Sequence, residues 1–407
     1  MSGILKCINP QREKKVKDSI VIVSTARTPS GSFQGDLKSV KATELGSIAI
    51  KGAVERAHLK GDDISEVLMG CVLPAGLGQG PARQASIGAG IPKSVGCVTI
   101  NKLCGSGMKA IMLGHDSILT NTNSIVVAGG LESMSNAPYL LDKARSGYRL
   151  GHGKVLDHMF CDGLEDAYEG RLMGTYAEDT AEHYQFTREQ QDAYAIESLT
   201  RAQHAVKTGL FKDEIVAVDV RSGKSSIQIV NDEQPLKADF AKIPTLKAAF
   251  RDGGSVTAAN SSSISDGGAA VVLMRESEAE KRGLKPLARI LGHSTHAQDP
   301  AWFTTAPIGA TQKLLQKFNL SVKDIDLFEV NEAFAIVAMA AMRDLSIPHE
   351  KVNIYGGACA LGHPIGASGA RIVVTLLNAL RHNNLKKGIA TLCIGGGEAT
   401  ALGVELI

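Results

Sequence analysis

The chain has no C-x-x-C pair, no run of about 18 apolar residues and no large excess of charge of one sign. Each absence excludes something. Without paired cysteines at ligand spacing, neither a structural zinc site nor a thioredoxin-like dithiol is expected among Cys7, Cys71, Cys97, Cys104, Cys161, Cys359 and Cys393. Without a long apolar run no membrane-spanning helix is expected, and no secretory h-region opens the chain. A formal net charge of +2 gives no general electrostatic case for a nucleic acid or a membrane surface as partner. Seven scattered cysteines and no secretory signal point to a reducing compartment, most simply the cytoplasm. The opening stretch, "MSGILKCINPQREKKVKDS", contains Glu13 and Asp18 among its basic residues and reads as a frayed extension rather than a transit peptide.

What is present is an ordinary soluble composition, 44% hydrophobic and 21% charged, over 407 residues. That length suffices for two or three domains with sizeable cores. Glycine is the exception. The 43 glycines make about a tenth of the chain, against a usual share of roughly 7%. They cluster in "CGSG", "GGA", "GASG" and "GGG", as tight turns against a close neighbour require.

The chain also repeats itself. "LKGDDISEVLMG" from Leu59 matches "LSVKDIDLFEVN" from Leu320, "SGMKAI" from Ser106 matches "SGARIV" from Ser368, and "AGGLESM" from Ala128 matches "IGGGEAT" from Ile394. Three ordered matches at nearly constant offset predict two similar halves. Each alternates strand and helix, hence a layered α/β unit. The first half is expected over 1–135, completed by about 264–286, where "SDGGAAVVLM" reads as a returning strand. The second is expected over 287–407. Between them, 136–263 reads as a more polar insertion. In it Thr187 and Gln190 predict a capping box and Gly209 a C-cap around one long helix.

Four positions carry candidate chemistry. Cys104, in "NKLCGSGMKA", follows the strand-like "CVTI" and precedes a helix. Free cysteines are usually small buried hydrophobes. A helix N-terminus, however, favours thiolate over thiol, and flanking glycines leave room for a substrate. His363 stands in the glycine-rich "GGACALGHPIGASGAR" with Pro364 restricting it; a structural histidine is the plain alternative. Cys393 ends the strand-like "GIATLCI", where a core thiol is the alternative. Asn331 ends "IDLFEV" and could instead cap the helix "EAFAIVAMAAM". Strand ends and strand-to-helix turns of α/β units converge on one crevice. Two cysteines, a histidine and an amide in one crevice suit acyl transfer with carbon-acid chemistry.

At these residues the sequence resembles the thiolase family, and within it the biosynthetic type that acts on acetyl-CoA. The carrying motifs are "NKLCGSGMKA", "VNEAFA", "NIYGGACALGHPIGASGAR" and "GIATLCIGGG", supported by "RTPSGSFQG", "GGLESMSNAPYLL" and "MGTYAED", in order from about Ser19 to Ile407. The resemblance implies an α/β fold of two similar five-layered halves with an inserted loop domain, 136–263, that binds coenzyme A. It implies that Cys104 carries the acyl group, that His363 activates it, and that Cys393 moves the α-carbon proton. It also implies a water on Asn331 that forms one oxyanion hole with His363, and the amides of Cys104 and Gly395 as the other. Ser262, Met173, Lys237 and Phe303 would contact CoA or the acyl group. The implied reaction is ping-pong condensation of two acetyl-CoA to acetoacetyl-CoA and CoA, and its reverse. No cofactor and no metal are implied, CoA being a substrate, and the implied assembly is a homo-oligomer, expected as a tetramer.

The sequence departs from the biosynthetic pattern where Leu172 replaces the usual histidine. It departs again where "ANSSS" (Ala259 to Ser263) replaces Gly-Asn-Ala-Ser-Gly, where Glu398 follows "GGG", and where Phe303 takes the place of a pocket methionine. These changes bear on chain length and CoA affinity. A fatty-acid 3-ketoacyl-CoA thiolase is the nearest rival. A condensing enzyme of fatty-acid synthesis lacks a second cysteine such as Cys393. A silent acyl-CoA-binding relative could dispense with Cys104, His363 or Cys393, and all three are present.

Overall fold

The computed structural model describes residues 18–223 and 225–407; Cys7, Glu13 and nearly all of the opening stretch lie outside them. One ten-stranded sheet runs through the molecule, and helices cover both of its faces. In spatial order its main strands are Leu327–Val330, Lys387–Ile394, Glu398–Leu406, Ala288–Ala297, Ile20–Arg27, Ser265–Arg275, Ile125–Ser133, Glu66–Gly70 and Gly96–Ile100. The central strands IVIVSTAR and SDGGAAVVLMR are buried almost throughout, as continuous apolar strands covered on both faces must be.

The expected halves are there, in mirrored order. Toward one edge Glu66–Gly70 pairs in parallel with both its neighbours. Toward the other Leu327–Val330 and Lys387–Ile394 are parallel. A short 3-10 turn precedes each of the matched strands, Gly61–Asp63 in one half and Val322–Asp324 in the other. The half-sheets are fused by a two-residue junction, Val21 with Arg289 and Ile22 with Ala288. One matched pair is not equivalent. AGGLES lies inside the strand Ile125–Ser133, whereas Gly395 to Gly397 form a turn.

Helix Ser106–Leu119 of the first half packs against helix Ile365–His382 of the second. The approach is close enough to require glycine. A Cβ on Gly107 would lie 2.9 Å from the amide nitrogen of Ala370, and one on Gly369 only 2.5 Å from that of Met108. The crossing brings both helix starts together, and with them Cys104 and His363.

In the insertion, helix Arg188–Thr208 begins at Thr187 with the capping box to Gln190 and ends at Gly209, φ 76°. The insertion is keyed to the sheet by a buried cation. Arg27 Nε donates to Glu214 at 2.6 Å, and its two terminal nitrogens form a fork on Asp232 at 2.7 and 2.9 Å. Burying one of these charges without the others would be costly, so the cluster fixes the arrangement.

Candidate active site

Cys104 stands in a turn tied down by its own sequence. Asn101 Oδ1 accepts from the Leu103 amide at 2.9 Å, and Ser106 Oγ accepts from the Lys102 amide at 2.9 Å. Leu103 adopts φ 46°, unfavourable for a bulky residue and held by these bonds. The result aims the Cys104 thiol at the backbone of the opposite half. The amides of Gly395 and of Cys104 itself donate to the sulfur. A Cβ on Gly395 would meet Leu103 at 3.2 Å and the Met173 sulfur at 3.6 Å, so this turn also borders Met173.

The expectation of a thiolate at Cys104 fails. Burial pushes its thiol up to about 11, and the two amides offset only part of this. The dipole of one helix start is the weaker effect once the sulfur leaves water.

His363 is the complementary group. It lies between the short helix Ala358–Leu361 and helix Ile365–His382, with its amide donating to Ser263 O at 3.0 Å. Burial, aided by the Arg371 charge, lowers its pKa to about 3, so the imidazole is neutral at physiological pH. The tautomer follows from the hydrogen bonds. Ser368 Oγ donates to Pro364 O at 2.9 Å, so its 2.6 Å contact with His363 Nδ1 must be one it accepts. The proton is therefore on Nδ1, and Nε2 presents a lone pair. Asn331 Nδ2 lies 3.5 Å from Nε2.

Asn331 is not a helix cap. The helix runs Ala335–Leu345 with Phe334 at its N-cap, which frees the Asn331 amide for the site. Cys393 is fully buried near the end of its strand. Burial and the neighbouring Cys104 hold its thiol well above the ordinary value, so it too rests protonated.

Two groups thus form: Cys104 beside Cys393 and the Gly395 amide, with Met173 bordering that turn, and His363 beside Asn331. Ser262 is pinned to the "VNEAFA" segment, its amide donating to Ala333 O at 2.9 Å. Phe303 is buried in the cluster that includes Phe334, to which Met173 and Phe250 pack. The adjacent Trp302 turns away and meets His183 edge to face at 5.0 Å. Lys237 is set on the surface, 59% exposed, with its ammonium engaged by Glu233 and, at 3.6 Å, by Asp36.

Three residues escaped sequence reasoning. Ser368 sets the histidine tautomer; its signal was a hydroxyl in the first turn of the helix that follows His363. Buried Glu132, on strand Ile125–Ser133, accepts the amides of Val72, Leu73 and Gly366 at 3.0, 3.2 and 2.9 Å, tying the start of helix Ile365–His382 to that strand and to the segment after Glu66–Gly70. Burial pushes its pKa up to about 7. Glu332 stands next to Asn331 and accepts four hydrogen bonds.

Residues 20–277 match the model of the thiolase N-terminal domain and residues 284–406 that of the thiolase C-terminal domain. A probable acetyl-CoA acetyltransferase of Dictyostelium discoideum is 50% identical over all of this chain and 99% of its own length. Acetyl-CoA acetyltransferase 1 of Arabidopsis thaliana is 50% identical over 95% of this chain and 94% of its own. Among solved structures, the Bacillus anthracis acetyl-CoA acetyltransferase superposes with a TM-score of 0.94 at 41% identity, covering 96% of this chain and 99% of that one. A thiolase of Ascaris suum in complex with coenzyme A gives 0.90 at 44% identity over 96% and 100%.

Proposed function

This chain belongs to the thiolase family, and from that premise we propose that it is an acetyl-CoA C-acetyltransferase. It condenses two acetyl-CoA to acetoacetyl-CoA and CoA through an acetyl-cysteine and runs the reverse thiolysis. The observation that carries the reading is the bare Nε2 of a neutral His363, set beside the Asn331 amide in a site with two protonated thiols.

The chemistry balances with these groups alone. His363 Nε2 takes the Cys104 proton as sulfur attacks the acetyl carbonyl. The oxyanion forms where the Cys104 and Gly395 amides converge. CoA leaves as a thiolate and takes the Cys393 proton. Cys393, now a thiolate, removes a proton from the methyl carbon of the second acetyl-CoA. The resulting carbanion attacks the acetyl-cysteine, with its thioester oxygen held by His363 and a water on Asn331. Cys104 departs and recovers its proton from His363. Each thiol and the imidazole end as they began. No cofactor is required, and CoA is a substrate and product.

A preference for short chains belongs to the same reading, supported by Phe303, which is buried 6.5 Å ring to ring from Phe334 in the cluster against which Met173 packs. Ser262 at the "VNEAFA" segment suits pantetheine. Lys237 suits the outer phosphates of CoA only by exchanging its carboxylate partners. The inserted segment, 136–263, is the proposed CoA-binding domain. A homotetramer in the cytoplasm completes the proposal. Its supports are the terminal strand Gly96–Ile100, where Val98 is 43% exposed, and thiols that work only when reduced. Among the described residues no helix is long and apolar enough to cross a membrane.

The test is loss of acetoacetyl-CoA absorbance on adding CoA. Rapid loss is expected, with 3-ketooctanoyl-CoA at least about tenfold poorer in kcat/KM, as overfilling a pocket by several methylenes implies. Equal rates would favour a longer-chain thiolase. No loss with either substrate would refute the activity.

A further inference from the structure

Asn331 is weakly held by its own side chain. Its amide lies 3.5 Å from His363 Nε2 and 3.5 Å from Arg371 Nη2, both at the outer limit of a hydrogen bond. A residue that must place a water within tenths of an ångström needs a stiffer support. That support is next door. Glu332 is fully buried, and its carboxylate accepts four short hydrogen bonds. Oε1 accepts from Tyr194 Oη and Asn353 Nδ2, both at 2.8 Å. Oε2 accepts from Ser198 Oγ at 2.8 Å and from the Cys359 amide at 3.0 Å.

The four donors come from three places. Tyr194 and Ser198 lie on the long helix Arg188–Thr208 of the insertion. Asn353 braces the end of the strand that leads into Asn331, since it also accepts from the Val330 amide and donates to the Val330 carbonyl, each at 2.8 Å. Cys359 begins the approach to His363. Gly357 passes so close that a Cβ there would sit 2.2 Å from the carboxylate carbon, and its amide donates to Ser198 Oγ at 2.9 Å. All four donors are neutral. Four hydrogen bonds from three segments meet on one buried carboxylate, so this hub is stiff.

We propose that Glu332 is a positioning residue for the condensation step. Through its carboxylate the insertion helix sets the backbone of Asn331, and so the water-based oxyanion hole. The inference rests on the thiolase reading above. It differs from a general structural role in being selective. Acetylation of Cys104 uses the Cys104 and Gly395 amides, which Glu332 does not touch, and His363, which Glu332 reaches only through the Cys359 amide four residues away; condensation uses in addition the Asn331 water, on the residue next to Glu332.

The experiment compares the parent enzyme with Glu332→Gln, Tyr194→Phe and Ser198→Ala. Acetylation of Cys104 by labelled acetyl-CoA is followed by mass spectrometry, and condensation by steady-state assay, beside the melting midpoint. For Glu332→Gln, condensation is expected to fall about tenfold or more, the scale for a hydrogen-bonded charge. Cys104 acetylation should stay within about threefold. Tyr194→Phe and Ser198→Ala keep the charge and lose one donor each; they should show the same selectivity at roughly threefold. They also serve if Glu332→Gln does not fold. Equal loss in both half-reactions, or no loss in either, overturns the proposal. A parent enzyme inactive in both assays would instead overturn the thiolase reading.

Discussion

Cys104 and Cys393 each stand near the end of a strand, one in each half, and each rests as a thiol, Cys393 buried and Cys104 partly buried. Their settings differ in one decisive respect. Cys104 lies four residues beyond its strand, in a turn held by Asn101 and Ser106, where two backbone amides point at the sulfur. Cys393 is still inside its strand, in register with Ala399, with no second amide from across the crevice. The first is surrounded by donors that stabilise negative charge on an attacked carbonyl. The second, next to Cys104, is set to exchange a proton rather than to carry the acyl group. Thiols with similar resting states are thus given different work by the backbone around them.

Serine substitutions break this comparison most sharply. Cys104→Ser should lose both half-reactions by on the order of 10⁴-fold or more, because the replacement is a poor nucleophile near neutral pH. Cys393→Ser should still acquire an acetyl group, while condensation and thiolysis fall about 10² to 10⁴-fold, the range of positioned acid–base catalysis. Trapping the acetyl-enzyme beside a steady-state assay separates the two. A Cys393→Ser enzyme that condenses at the parent rate would move the proton transfer to another group. One that folds but cannot be acetylated would place Cys393 in the first step.

Ser368 tests how Cys104 is activated. With Ser368→Ala, Nδ1 loses its acceptor and the lone pair need no longer be on Nε2. Acetylation should fall about tenfold, the lower end of a mis-set base. The pH profile sharpens the point. Burial raises the Cys104 thiol to about 11 and lowers His363 to about 3. Both groups are therefore neutral between those values, and thiolate increases only as pH climbs toward the upper one. Iodoacetamide labelling of Cys104 should rise with pH and show no plateau below about pH 9. A plateau near pH 7 would mean a preformed thiolate–imidazolium pair. Exposed Cys161 should label ahead of Cys104 at neutral pH.

Much of this was legible in the chain. The capping box at Thr187, the glycine stop at Gly209, the repeated halves and the turn at Cys104 are local patterns, and local patterns carry their own physics. What the chain could not show depends on distant segments. The Cys104 thiolate was misjudged because desolvation comes from segments distant in sequence, Val72, Leu73, Met134, Met159 and Ile365 among them. Asn331 looked like a cap because the helix start was placed three residues early. Ser368 and Glu332 gain meaning only once the folded chain brings His363 and the insertion helix against them.

The smallest expected effect concerns the link between the two cysteine turns. Lys102, two residues before Cys104, forms an ion pair with Glu398, just after the Gly395–Gly397 turn. Beside it, a Cβ on Gly105 would lie 2.3 Å from Ile394, so the turns touch along an apolar seam as well. The pair is 19% and 35% exposed, and such partly solvated pairs are typically worth up to about 1 kcal/mol. If that energy holds the Gly395 amide over the Cys104 sulfur, losing it should cost no more than about fivefold in kcat. Glu398→Gln and Lys102→Met should each show this loss, with KM for acetyl-CoA nearly unchanged. The reversed pair, Lys102→Glu with Glu398→Lys, should recover most of it. Added salt should diminish the parent's advantage, because screening weakens solvated pairs first. Full kcat in both single variants would assign the seam to Ile394 and Gly105 alone. A loss in the singles that the reversed pair leaves uncorrected would mean that the two side chains act separately.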